Sequence, residues 1–236
     1  MPLSKKLPLP MPGWDAARRS VVFLGEAGCG KSEIAVNLAL RLAEQGDRPV
    51  HFFDLDMTKP LFRAREIAET LEEKGIHVHF EEQFMDAPTT VGGPGSYLRR
   101  DDCYTVLDVG GDHMGARAIG QYAQLLRGPA AAVYYVINPF RPWSDTTERI
   151  DIVLLDILTV SHLTLRDLRL IANPNLGGET TAEQVLEGCR MLRDTVEPYK
   201  PLDFCCAEDS LADVIAGRID RPVMALRLFF QYPWRE

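Results

Sequence analysis

Ser20-Val21-Val22-Phe23-Leu24-Gly25-Glu26-Ala27-Gly28-Cys29-Gly30-Lys31-Ser32 is the stretch on which the fold turns. A short apolar run passes into G-x-x-x-x-G-K-S and then into a helical pattern, the setting expected of a phosphate-binding loop. Glycines let the backbone turn tightly with its N–H groups aimed inward, and the helix behind them presents its positive dipole end to the same point. An anionic polyphosphate is then held mainly by main chain from Gly25, Glu26, Ala27, Gly28, Cys29 and Gly30 through Lys31, Ser32 and Glu33. Lys31 reaches the β- and γ-phosphates, and Ser32 ligates Mg²⁺. The plain alternative is an ordinary Gly-rich strand-to-helix turn. The bare pattern arises by accident in roughly one chain in a hundred of this length, and the flanking strand and helix make an accident rarer still.

Outward from the loop, residues 33–45 carry a broad apolar stripe, with Ile34, Leu38 and Leu42 flanked by Val36, Leu40 and Ala43. A helix of that kind is covered on more than one side, and Gly46 stops it. Residues 49–55 are β-rich and end in Asp54-Leu55-Asp56; Pro60 suits the first turn of the next helix, which runs to about Lys74. Residues 76–80 read as a short edge strand, 81–102 as a loop centred on Gly92-Gly93-Pro94-Gly95. The strand 104–107 runs into Asp108-Val109-Gly110-Gly111-Asp112, and a helix follows over 115–126. Strands at 130–137, 168–172 and 202–206 alternate with helices at 146–161, 180–197 and 210–216. Thr180 or Thr181 is positioned to cap the second of these.

Alternation of this kind predicts an α/β fold: three α/β/α layers around a mostly parallel, doubly wound sheet. The reading is of one domain over 20–236 behind an irregular leader at 1–19. In such sheets ligands sit at the carboxyl ends of the strands. Gly25, Asp54, Asp108, Asn138 and Asn173 all fall at that end.

Asp54 and Asp56 leave the same side of an extended backbone, which suits shared metal and water duty, although acids also simply end strands. Asp108, at the end of an apolar strand and followed by glycine, is the usual second half of a phosphate-loop site. Asp112 reads as a helix cap, and Asn138 as a turn residue before proline. Arg141 and Trp143 follow on the same rim, either bordering a base by stacking or as plain surface. His77 and His79 have no partner at metal-ligand spacing and read as edge-strand residues. Cys29 reads as a small filler within the loop, and Cys205-Cys206 as buried.

Net charge is −8 and 46% of residues are hydrophobic. That balance opposes non-specific binding to nucleic acid or an anionic membrane surface, and favours small-molecule or protein partners. No apolar run reaches spanning length, and the leader lacks the apolar core of a signal peptide. Five cysteines without C-x-x-C spacing fit free thiols in a reducing cytoplasm. The aromatic tail from Val223 to Trp234 is broken by Pro222 and Pro233, and reads as packing on the body or a partner subunit.

The residues GEAGCGKS at 25–32, DLD at 54–56, LDVGGD at 107–112 and IANPN at 171–175 resemble the ParA/MinD-type ATPases, a branch of the phosphate-loop NTPases. The resemblance spans roughly residues 20–216. It implies ATP and Mg²⁺ as cofactors, ATP hydrolysis, a homodimer and a protein partner. It makes Lys31 and Ser32 phosphate and Mg²⁺ ligands, Asp54 a water-mediated support for Mg²⁺, Asp56 the residue that orients the attacking water, and Asp108 the Walker B carboxylate. Gly110 becomes a main-chain sensor of the γ-phosphate, and Asn173 reads the purine with its amide. The family's signature lysine, which crosses to a partner's phosphates, is replaced here by Glu26. Arg63 and Arg65 are the substitutes the sequence suggests, with a solvated helix surface as the other reading. Rival readings are an ATP-dependent small-molecule kinase or ligase of the same branch, and a nucleotide-binding module without turnover.

Overall fold

The computed structural model describes residues 9–56, 61–80 and 93–230, with backbone alone for 61–66 and 80. In chain order the elements are β1 (Ser20–Leu24), α1 (Lys31–Gln45), β2 (Val50–Leu55), α2 (Leu61–Glu73), β3 (Ile76–Phe80), α3 (Pro94–Tyr97) and β4 (Tyr104–Val109). There follow α4 (His113–Gly120), α5 (Ala123–Leu126), β5 (Ala131–Ile137), α6 (Thr147–Ser161), β6 (Leu168–Ala172), α7 (Ala182–Thr195), β7 (Leu202–Glu208), α8 (Asp209–Ala216) and β8 (Val223–Leu226). The eight strands form one sheet in the order β3-β2-β4-β1-β5-β6-β7-β8. Every described pairing is parallel, so the sheet is wholly rather than mostly parallel.

Strand side chains alternate between faces, and each face has its own apolar core. On one, Val21 and Phe23 of β1, Phe52 of β2 and Val106 of β4 pack with Ile34 and Leu38 of α1 and Leu71 of α2. On the other, Val22, Leu24, Phe53 and Leu107 pack with Ile119 of α4, Ile157 of α6, Leu192 of α7 and Ile215 of α8. Helices on both faces of a parallel sheet are the three-layer arrangement expected, and near-continuous apolar strands are its signature. The helix ends are chemically marked. Thr146 accepts from Arg149 N–H at 3.4 Å. Thr181 and Gln184 form a reciprocal capping box at 3.3 and 2.9 Å, and Gly46, at φ 67°, closes α1.

Three details depart from the sequence reading. The helix expected over 115–126 is two, α4 and α5, and it starts earlier, where the Asp112 carboxylate accepts from Gly115 N–H at 2.8 Å. A Cβ on Gly120 would lie 2.7 Å from the Val160 carbonyl, so α4 ends where it meets the last turn of α6. β7 runs on to Glu208. The start of the aromatic tail is a strand, β8, set against Cys205–Glu208; its four residues are too short a run for alternation to declare.

The leader is partly absorbed: Met11 is buried in the α1-side core, and Trp14 meets Tyr104 edge-on at 5.9 Å. All five cysteines are free. His77 and His79 lie on the edge strand β3, and His79 Nε2 is 3.0 Å from His51 Nδ1. Burial holds both His51 and His79 well down, at about 4. Among the described residues no three His, Cys, Asp or Glu side chains are grouped to hold a metal, and no helix is long and apolar enough to cross a membrane.

Candidate functional site

The loop 25–30 joins the carboxyl end of β1 to the first turn of α1 and is built on glycines in the left-handed region. Gly25, Gly28 and Gly30 have φ of 142°, 73° and 97°. Two are also held by close approach. A Cβ on Gly25 would meet the Val136 carbonyl at 2.4 Å, and one on Gly30 would meet Asn173 Nδ2 at 2.1 Å. Lys31 begins the helix yet is only 5% exposed, because its chain folds back over the loop. Its Nζ donates to the carbonyls of Gly25 at 3.1 Å and Glu26 at 3.0 Å. A buried ammonium satisfied by neutral carbonyls keeps its charge available to an anion at the helix N-terminus. Cys29 is fully buried in the loop, and burial raises its thiol pKa against the lowering pull of Lys31. Ser32 stands half-buried in the first turn of α1.

The carboxylates converge on this loop from the neighbouring strands. Asp54 and Asp108 are direct partners across β2 and β4, and Asp108 is level with Phe23 of β1. Their positions in the alternation put both on the face that carries α1, beside its N-terminus. Asp108 is completely buried. Asp56 lies just past β2, where its N–H donates to Asp54 Oδ1 at 3.1 Å. A Cβ on Gly110 would be 3.3 Å from Asp56 Oδ1, and one on Gly111 would be 2.5 Å from Ala27 Cα and 2.9 Å from Lys31 Nζ. The turn after β4 is therefore wedged between Asp56 and the loop, tightly at Gly110 and, at Gly111, with no room for a Cβ against the Ala27 backbone. This sets Lys31, Ser32 and the acids Asp54, Asp56 and Asp108 along one rim beside the same helix N-terminus, without bringing three of the carboxylates together as a ready-made metal cluster.

Glu26 has a local partner. Its carboxylate is 8% exposed, accepts from Ser144 Oγ at 2.7 Å and from Trp143 N–H at 3.4 Å, and so ties the loop to the segment after β5. That segment is a stiff turn. Asn138 Oδ1 accepts from Phe140 N–H at 3.1 Å while its Nδ2 donates to the Asn175 carbonyl at 2.7 Å, the turn role expected of it. Arg141 lies over Gly28, whereas the Trp143 side chain is 52% exposed. Asn173, just past β6, reaches back to the loop. Its Nδ2 donates to the Cys29 carbonyl at 2.8 Å, and its buried Oδ1 has no partner among the described residues.

Glu33 turns its side chain the other way, toward the C-terminal segment, and accepts from the N–H groups of Phe229 at 3.0 Å and Phe230 at 2.8 Å. Asn37, one turn on, bonds both the N–H and the carbonyl of Arg227 at 2.9 and 2.8 Å. Glu33 thus faces the cradle through main chain alone. Arg63 and Arg65 fall on α2, but their side chains lie outside the described residues, as do residues 81–92 of the predicted loop and 231–236 of the tail. Sequence reasoning missed Gly111 and Ser144. A second glycine after Asp108 was the available signal for the first, and nothing in the pattern marked the second. Comparison with protein-family models and with curated proteins finds no match.

Proposed function

We propose that this chain is a Mg²⁺-dependent ATPase of the ParA/MinD type, a phosphate-loop protein that works as a nucleotide-driven switch. The observation that carries the reading is convergence. The loop glycines, Lys31, the Asp54–Asp108 pair and the Asp56–Gly110 contact meet at one helix N-terminus, where the dipole and inward N–H groups favour polyphosphate. Ser32 and Asp108, with Asp54 acting through water, would hold Mg²⁺, which supplies charge neutralisation on the phosphates. Lys31 exchanges its two loop carbonyls for phosphate oxygens. Asp56 orients the attacking water, and Gly110 and Gly111, packed against Asp56 and Ala27, register the terminal phosphate through their main chain. Ordering of these turns with ATP, and their release after hydrolysis, is the switch. A second copy across the nucleotide and a protein partner complete the reading.

The test is phosphate release from Mg·ATP. The wild-type chain turns over without added metabolite, and Asp56→Ala loses about 10²-fold or more in rate while still binding ATP. Equal turnover by Asp56→Ala would contradict the assignment, and turnover that appears only with an added small-molecule acceptor would favour a kinase or ligase.

A further inference from the structure

The phosphate cradle carries a cation that the motif does not supply. A Cβ placed on Gly28 would lie 3.3 Å from Arg141 Cζ, 3.4 Å from Nε and 3.5 Å from Nη2, so the guanidinium is stacked on the middle of the loop. Its Nε is buried and has no hydrogen-bond partner among the described residues. Nor does Arg141 form an ion pair among the described residues, whereas other arginines do, for example Arg149 with Asp145 at 2.7 Å and Arg100 with Asp102 at 2.8 Å. Burying guanidinium donors without acceptors is costly, and a fork of N–H groups of this shape matches phosphate oxygens.

The backbone beneath it is held. Arg141 N–H donates to the Asn138 carbonyl at 3.0 Å, and Ser144 N–H donates to the Arg141 carbonyl at 3.0 Å. Glu26 grips Ser144 at 2.7 Å from the loop side. The residue at position 26 therefore docks, in the same chain, the turn that presents the arginine.

We propose that Arg141 is a phosphate-binding residue that acts in cis, supplying from the turn after β5 the positive charge that position 26 lacks, with Glu26 as its positioning residue. The proposal rests on the nucleotide reading above and adds the residue that completes the site. The charge of a triphosphate is only partly offset by Lys31 and a divalent cation, and a guanidinium over Gly28 reaches the same oxygens from the open side of the loop.

Equilibrium titration with ATPγS and Mg²⁺ tests this on the full chain, read as affinity rather than activity. Arg141→Ala and Arg141→Gln both weaken ATPγS binding about 10- to 100-fold, the range for a lost charge-assisted hydrogen bond. Arg141→Lys recovers part of the loss, and Arg193→Gln, on an exposed pair far along α7, binds as wild type. Glu26→Gln, which keeps a side chain able to meet Ser144, binds more tightly than Arg141→Ala. Wild-type binding with undiminished affinity in both Arg141 variants overturns the role of Arg141 and leaves the nucleotide reading standing. Absence of binding by the wild-type chain overturns both.

Discussion

At the scale of single residues, the site shows that one side chain can belong to the loop and still face elsewhere. Glu33 sits three residues past the last loop glycine, yet its carboxylate is spent on the N–H groups of Phe229 and Phe230. Burial raises its pKa from 4.5 to about 7, against the two backbone donors that favour the ionised form. The folded chain therefore holds this proton more tightly than the unfolded chain. The stability that the protonated acid contributes is fully present below about pH 4.5 and is lost as pH rises through about 7. Glu33→Gln keeps an acceptor without the charge. Its thermal midpoint, followed by circular dichroism, falls less between pH 5 and 8 than that of wild type, by an amount worth on the order of 2 kcal/mol. Parallel pH profiles would sink the idea. Asn173 illustrates the opposite case. Its position at a strand end was legible, but its bond to the Cys29 carbonyl was not, because a spacing does not say which neighbour an amide meets.

At the scale of elements, the packing of the β4 turn on the loop is the contact most sensitive to a single methyl group. Gly111→Ala drives a Cβ to 2.5 Å from Ala27, backbone that cannot swing aside, and overpacking of this kind costs about 1–3 kcal/mol. Gly46→Ala, at φ 67° with open space around it, pays only backbone strain of about 1 kcal/mol. Urea denaturation of the two variants reads the difference, and the Gly111 variant also loses affinity for Mg·ATP while Gly46→Ala keeps it; equal affinity would contradict the wedge. The elements themselves were largely legible. Apolar runs at 20–24 and 168–172 match β1 and β6 residue for residue, and α7 begins at Thr181, one of the two threonines predicted to cap it. What escaped was set by partners distant in sequence. The break between α4 and α5 answers to the α6 carbonyl of Val160, and β8 is a strand because β7 offers it an edge.

At the scale of the whole molecule, the parallel sheet does the gathering. Its order sets β4 between β2 and β1, so Asp54, Asp108 and the loop after Phe23 are lateral neighbours although they span 85 residues of chain by their numbers, 23 to 108. The alternation pattern foretold that sheet and its carboxyl rim, since buried parallel strands announce themselves by continuous apolar runs. The turn after β5 and its place on that rim were also legible, but not its closure over the loop through Glu26, Ser144 and Arg141, because that closure depends on three-dimensional approach rather than on spacing. The central claim, that this rim binds the phosphates of ATP, is tested most directly by calorimetric titration of the wild-type chain and Lys31→Ala with ATP and Mg²⁺. The account predicts saturable binding by wild type that needs the metal and is weakened at least about tenfold by Lys31→Ala; no binding, or binding indifferent to Lys31, would contradict it.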